Sequence, residues 1–183
     1  MSILTKDKIL AEIAAKRIEI TPFDPECVGP ASVDLHLSRS FRAFRSSRKI
    51  IRVTDDVDYR TITYGIALKE GETLLLMPNE TILGMTLEKI STASDIGGWL
   101  EGRSKFARMG LLVHISASFM QPGIANHQVL EMRNFGPVPL EIVPGIAVCQ
   151  FIFHRTIGKA VYQGRFKDQS PETFCGDTEY IEQ

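Results

Sequence analysis

In SVDLHL, residues 32–37, Val33, Leu35 and Leu37 alternate with Ser32, Asp34 and His36. A period of two sends the three apolar side chains to one face of an extended strand and the polar ones to the other. The same kind of short apolar run recurs downstream as TLLLM (73–77), TILGMTL (81–87), LLVHISA (111–117), QVLEM (128–132), LEIV (140–143) and AVCQFIF (147–153). Between them stand MPNE, NFGPVP and VPG, which carry turn chemistry. Many short strands between turns predict a mainly β domain, a sandwich or barrel. Upstream the period changes. TKDKILAEIAAKRI (5–18) places Ile9, Leu10, Ile13 and Ala14 on one helical stripe with Thr5 at the N-cap, and Pro22, Pro25 and Pro30 end the pattern.

With 183 residues, 44% of them apolar, the chain can fill the core of one domain. The formal net charge of −1 gives no general attraction to nucleic acid or acidic membranes. No apolar run approaches the roughly 20 residues of a membrane span. Cys27, Cys149 and Cys175 are odd in number and widely separated, which predicts reduced thiols and a cytoplasmic protein. The expected boundaries are one domain over 1–163 and a mobile C-terminal lid or tail over 164–183. One segment, SRSFRAFRSSRKIIR (38–52), interleaves basic residues with Phe41 and Phe44. That pattern suits a nucleic-acid surface, but the acidic Asp55–Asp58 run offsets it and an exposed strand and loop accounts for it as well.

Two segments carry candidate chemistry. GWLEGRSKFARMG (98–110) concentrates Arg103, Lys105 and Arg108 around Ser104 between glycines. Gly102 to Gly110 predicts one short helix stopped at Gly110, with Ser104 at its start and Arg108 on the same face. Such an end attracts an oligophosphate, although a solvated basic turn reads equally well. In SASFMQPGIANHQVLEMRN (116–134), an extended β-strand turns Val129, Glu131 and Arg133 to one face and Leu130 and Met132 to the other. A carboxylate in so apolar a strand is solvent-facing, paired with Arg133, or placed to move a proton. His36, His114, His127 and His154 form neither HExxH nor the HxE…PCxxC zinc-deaminase pattern. Walker, GxGxxG and GxSxG motifs are also absent. His114, inside GLLVHIS, reads as a hydrogen-bonded core residue.

GWLEGRSKFARMGLLVHISA (98–117), followed by QPG and VLEMRN, resembles the dCTP deaminases of the dUTPase-like superfamily. GPASVDLHLSRSFRAF (29–44) is similar to that family's opening strand motif, and VPGIAVCQFIF (143–153) to its late core strand. The likeness runs from the N-terminal helix to about Gln169.

The resemblance implies a distorted β-barrel or jelly roll and a homotrimer with sites at subunit interfaces. It implies hydrolysis of dCTP to dUTP and ammonia without zinc, with Mg²⁺ carried by the substrate triphosphate. Glu131 matches the catalytic proton shuttle, and Ser104 and Arg108 match the residues that position the water and the glutamate. Arg103, Lys105, Phe106 and Ala107 fall in the phosphate-side motif. Ala117 matches the carbonyl that holds the water, and Val129 and Leu130 the strand whose backbone reads the base. Tyr162, Arg165 and Gln169 match a lid over the nucleotide.

Departures accompany the match. Gln121 stands where the family has an aspartate that contacts the sugar and, in diphosphate-releasing relatives, activates water; a glutamine cannot act as a base. Asn126 replaces a glycine, which asparagine suits if the turn needs positive φ. Lys105 replaces a small hydroxyl residue, and Arg165 and Phe166 replace a Lys-Tyr pair. Gln128 occupies a position usually apolar, and the sequence offers no reason for it. Two alternatives stay open: a dUTP diphosphatase, alone or combined with deamination, and a non-catalytic nucleotide-binding sensor on the same fold; dUTP and dTTP join dCTP as nucleotide partners the resemblance allows.

Overall fold

The computed structural model describes residues 2–176. Two antiparallel sheets hold most of the chain. In the first, β13 (Ala147–Arg155) pairs along one edge with β8 (Ile96–Gly102), which carries β10 (Phe119–Met120) on its far side. The other edge of β13 takes β3 (Val33–His36) and the two-residue β1 (Ser2–Ile3). The second sheet runs β5 (Thr63–Ala67), β4 (Ser40–Phe44), β7 (Thr81–Thr92), β11 (Ala125–Asn134) and β9 (Leu111–Val113). β2 (Ile18–Thr21) also pairs with β7. A separate ribbon joins β6 (Leu74–Leu76) to β12 (Leu140–Ile142).

The predicted alternation is what packs the two sheets together. Val33, Leu35 and Leu37 are buried, and with Phe151, Phe153 and Leu100 they meet Phe41, Ile82, Leu130 and Met132 of the other sheet. Phe151 and Phe153 stack with ring centroids 4.3 Å apart. The sheets stay separate and do not close, so the molecule is a distorted jelly roll, mainly β as expected.

β8 required glycine. A Cβ at Gly98 would lie 2.2 Å from the Phe151 ring and 2.3 Å from the Ile152 carbonyl oxygen. At the far end of the segment, α2 covers only Ser104–Ala107, and Gly110 turns the chain at φ +88°. A side chain there would meet the Gly136 backbone at 2.5 Å, so Gly110 serves both the turn and the close approach.

The N-terminal helix α1 spans Lys6–Ala14. Thr5 sits at its N-cap position in extended geometry, but its hydroxyl bonds the Asp7 carboxylate instead of capping the backbone. Of the expected stripe, Ile9 is fully buried, Leu10 and Ile13 are half-buried, and Ala14 is exposed. Glu12 is buried beside them and binds Arg17 at 2.7 Å and also Arg155. Arg17 reaches Asp95 at 2.7 Å. Burial raises the Asp95 pKa, but the Arg17 hydrogen bonds outweigh it and the net shift is downward.

The basic segment from 38 to 52 is divided. Phe41 and Arg42 are buried within β4, and the residues beyond Phe44 form exposed loop. The Arg42 guanidinium donates to Thr63 and to the Phe174 carbonyl. The latter contact anchors α3 (Pro171–Cys175), whose Phe174 is buried on the sheet. Residues 177–183 of the expected tail lie outside the described residues. Among the described residues, no helix is long and apolar enough to cross a membrane.

Candidate functional site

β11 lies between β7 and β9. Its inward side chains, Leu130 and Met132, are fully buried in the core. Its outward ones, Val129, Glu131 and Arg133, line a cavity of about 990 Å³. The loop from His114 to Gln121 forms one wall of this cavity, and Tyr162, Phe166 and Gln169 of the C-terminal segment form another.

Among the described residues lining it, Glu131 is the single acidic one. Its Oε2 accepts hydrogen bonds from the Ser116 backbone N–H and the Ser116 hydroxyl, each at 2.9 Å. It makes no ion pair with Arg133. The Arg133 Nε is itself buried with no partner among the described residues. The loop that carries Ser116 is bent by His114, which adopts φ +61° and donates its backbone N–H to the Glu131 carbonyl at 2.7 Å. The His114 Nε2 lies 2.9 Å from the Ala117 carbonyl, which can only accept, so Nε2 carries the proton. His114 is thus the hydrogen-bonded, mostly buried residue the sequence predicted.

The cavity brings together six of the expected site residues: Glu131, Ala117, Gln121, Val129, Tyr162 and Gln169. The chain does not bring the phosphate-side motif to it. Arg103 turns away, pairing with Asp34 at 3.0 Å and donating to the Ala147 carbonyl. Ser104, Lys105, Phe106, Ala107 and Arg108 are also not among the lining residues. Leu130, expected to read the base, is also not among the lining residues, and its side chain is core. Arg165 pairs with Asp58 at 3.0 Å, which ties the C-terminal segment to the loop before β5. The Arg60 backbone N–H, and then Arg165, hold the Asp58 carboxyl below the usual carboxylate range.

Two departures take on a different meaning in three dimensions. Asn126 is not a positive-φ residue; it lies inside β11, so the glycine-like turn expected there is not what the position requires. The register between β11 and β7 shifts between His127 and Val129. The extra residues lie on β7, where Thr86, Leu87 and Glu88 stand opposite Gln128 alone, and the Gln128 N–H is taken up by the Thr86 hydroxyl at 2.9 Å. Burial along β11 still alternates, with Gln128 buried and Val129 half-buried, and both line the cavity. Sequence reasoning missed Ser116 and the Asn126–Gln128 pair as site residues. The only signal for Ser116 was its place two residues after His114, where apolar alternation stops.

Residues 3–156 match the family model described as dCTP deaminase-like. A dCTP deaminase, dUMP-forming, from Parafrankia sp. is 35% identical over 178 residues, covering 93% of this chain and 88% of that one. Its namesake from Mycolicibacterium smegmatis is 37% identical over 158 residues, covering 86% and 83%. Among solved structures, the 2'-deoxycytidine 5'-triphosphate deaminase from Agrobacterium tumefaciens shares the fold. It superposes with a TM-score of 0.65 at 19% identity, over 84% of this chain and 48% of that one. The fold is thus the one seen in that solved deaminase. The chain belongs to the dCTP deaminase-like family.

Proposed function

We propose that this chain hydrolytically deaminates dCTP in the cavity around Glu131. The observation that carries the reading is the state of that carboxylate. Both Ser116 donors converge on Oε2, and Oε1 takes no hydrogen bond from any described residue. One oxygen is held and the other faces a space large enough for a nucleoside. Oε1 takes a proton from water as the water attacks C4 of the base, then returns it to N4 as ammonia leaves. The Ala117 carbonyl has a lone pair left beside His114 with which to orient that water.

The tetrahedral intermediate needs a cation and the triphosphate needs several. A homotrimer in which a neighbouring copy presents Arg103, Ser104 and Arg108 supplies them, because within one chain these residues do not reach the cavity. Lys105, Phe106 and Ala107 come with the same segment. Mg²⁺ enters on the triphosphate oxygens, and the proton steps belong to Glu131 without zinc. Among the described residues, no group of three His, Cys, Asp or Glu side chains is placed to hold a metal ion. Tyr162, Gln169 and Arg165 close the open side over the nucleotide, in a cytoplasmic enzyme of pyrimidine deoxynucleotide supply.

The product follows from Gln121. It lines the cavity but offers no basic oxygen, so the reading is release of dUTP and ammonia. A second reading, dUMP with diphosphate, is favoured by the names of the relatives and requires another base. Incubation with dCTP and, separately, dUTP in the presence of Mg²⁺ decides between them. Ammonia from dCTP without diphosphate supports the first; diphosphate from both nucleotides supports the second. Binding without either product supports the non-catalytic sensor and contradicts both.

A further inference from the structure

Asn126 and Gln128 form a chain of carboxamides whose polarity is set from one end. The Phe166 backbone carbonyl accepts from Asn126 Nδ2 at 2.7 Å. A carbonyl can only accept, so the Asn126 amide cannot be turned the other way, and its Oδ1 must point back toward Gln128. Gln128 Nε2 donates to that Oδ1 at 2.6 Å. The Gln128 amide is therefore fixed in turn, and its Oε1 accepts from no described residue. Asn126 is 5% exposed and Gln128 6% exposed, and both line the cavity that holds Glu131. Gln128 Oε1 is thus an acceptor left open on the cavity wall, and a ligand that donates to it gains a directed hydrogen bond.

We infer that Gln128 is a specificity-determining residue that selects an amino-bearing pyrimidine over its keto counterpart, with Asn126 and the Phe166 carbonyl holding it in the discriminating orientation. The inference rests on the nucleotide reading of the cavity. Cytosine carries an exocyclic N4 amino group that donates to Oε1. Uracil and thymine carry a carbonyl oxygen at the same place, which opposes another acceptor. A free glutamine would turn its amide over and accept either base; this one cannot without losing its hydrogen bond to Asn126 or, if both amides turn, the one from Asn126 to the Phe166 carbonyl. Gln128 shares the buried side of β11 with Leu130, but where β7 bulges opposite it the side chain lines the cavity while that of Leu130 does not. The consequence is a site that holds substrate and sheds deaminated product.

The test is equilibrium binding of dCTP and dUTP, each with Mg²⁺, to full-length protein carrying Glu131→Gln so that dCTP persists. The parent is expected to prefer dCTP by on the order of tenfold or more. Adding Gln128→Met, similar in length, brings the ratio to near one, and Asn126→Ala does the same by freeing the amide to turn. Asn126→Asp keeps an acceptor for Gln128 Nε2 while setting a second acceptor against the Phe166 carbonyl, and in protein shown to be folded it retains the preference. A merely structural role for Asn126 would move the alanine and aspartate variants alike. Equal affinity in the parent, no binding of either nucleotide, or a preference that survives both Gln128→Met and Asn126→Ala overturns the inference. Failure of wild-type protein to release ammonia, with the binding ratio intact, would instead overturn the catalytic reading and leave this one standing.

Discussion

Ser116 grips a single oxygen of Glu131 from two directions, its backbone N–H and its hydroxyl each 2.9 Å from Oε2. The backbone donor survives any substitution and the hydroxyl does not. Ser116→Ala should therefore leave the carboxylate in place but less firmly oriented. We expect kcat for dCTP deamination to fall on the order of tenfold with KM changed by less than about threefold. Steady-state kinetics check this, and a change confined to KM would mean that Ser116 serves binding and not the proton shuttle.

The position of Gln121 on the cavity wall makes its substitution informative. Gln121→Asp restores a potential base and should add diphosphate release while deamination continues. Ammonia and diphosphate are quantified in the same reaction. Loss of deamination would show that Gln121 does more than contact the sugar.

Separation of Ser104 and Glu131 within one chain predicts complementation between inactive copies. Ser104→Ala and Glu131→Gln proteins should each be nearly inactive alone. Mixed trimers formed by refolding them together should recover activity, with about a quarter of sites drawing both native residues from adjacent copies. No recovery, in a preparation shown to contain mixed trimers, would place both residues on the same subunit.

How much of this was legible depended on whether local pattern or tertiary packing decided each element. SVDLHL and AVCQFIF became β3 and β13 because alternation and burial agree there. QVLEMRN divided its faces as the two-residue period requires, so the face that carries Glu131 was readable in advance, whereas the choice between solvent, Arg133 and a cavity was not. β8 was not, because its sequence IGGWLEG is shaped by the close approach of Phe151 and Ile152 and not by its own propensity. LLVHISA yields only Leu111–Val113 as β9, since His114 takes positive φ, which no apolar pattern announces. Gln128 was opaque because it shares the buried side of β11 with Leu130 and yet lines the cavity, which alternation alone does not show. Ser104 and Arg108 were identifiable by resemblance, but no single-chain reading could say which cavity they serve.

His154 supplies a pH test of the fold. It is buried, its Nδ1 has no partner among the described residues, and it stacks on Trp99 at 4.5 Å between centroids. Burial holds its pKa below the ordinary value of 6.5. The unfolded chain thus binds the proton more readily than the folded one, so stability rises with pH across this window. The contribution is complete above pH 6.5 and is lost as pH falls from there through the folded value. His154→Phe should flatten the dependence of unfolding midpoint on pH in that range, followed by fluorescence of the single tryptophan. An unchanged slope would assign the acid sensitivity to other groups.

The central claim, that Glu131 moves the proton in deamination, is tested most directly by Glu131→Gln, measured for both ammonia release from dCTP and nucleotide affinity. The substitution keeps shape and removes only the ability to take a proton. Deamination should disappear while affinity stays within about tenfold of wild type. Near-normal ammonia release from the variant would contradict the account, and the search for the base would have to begin elsewhere in the cavity.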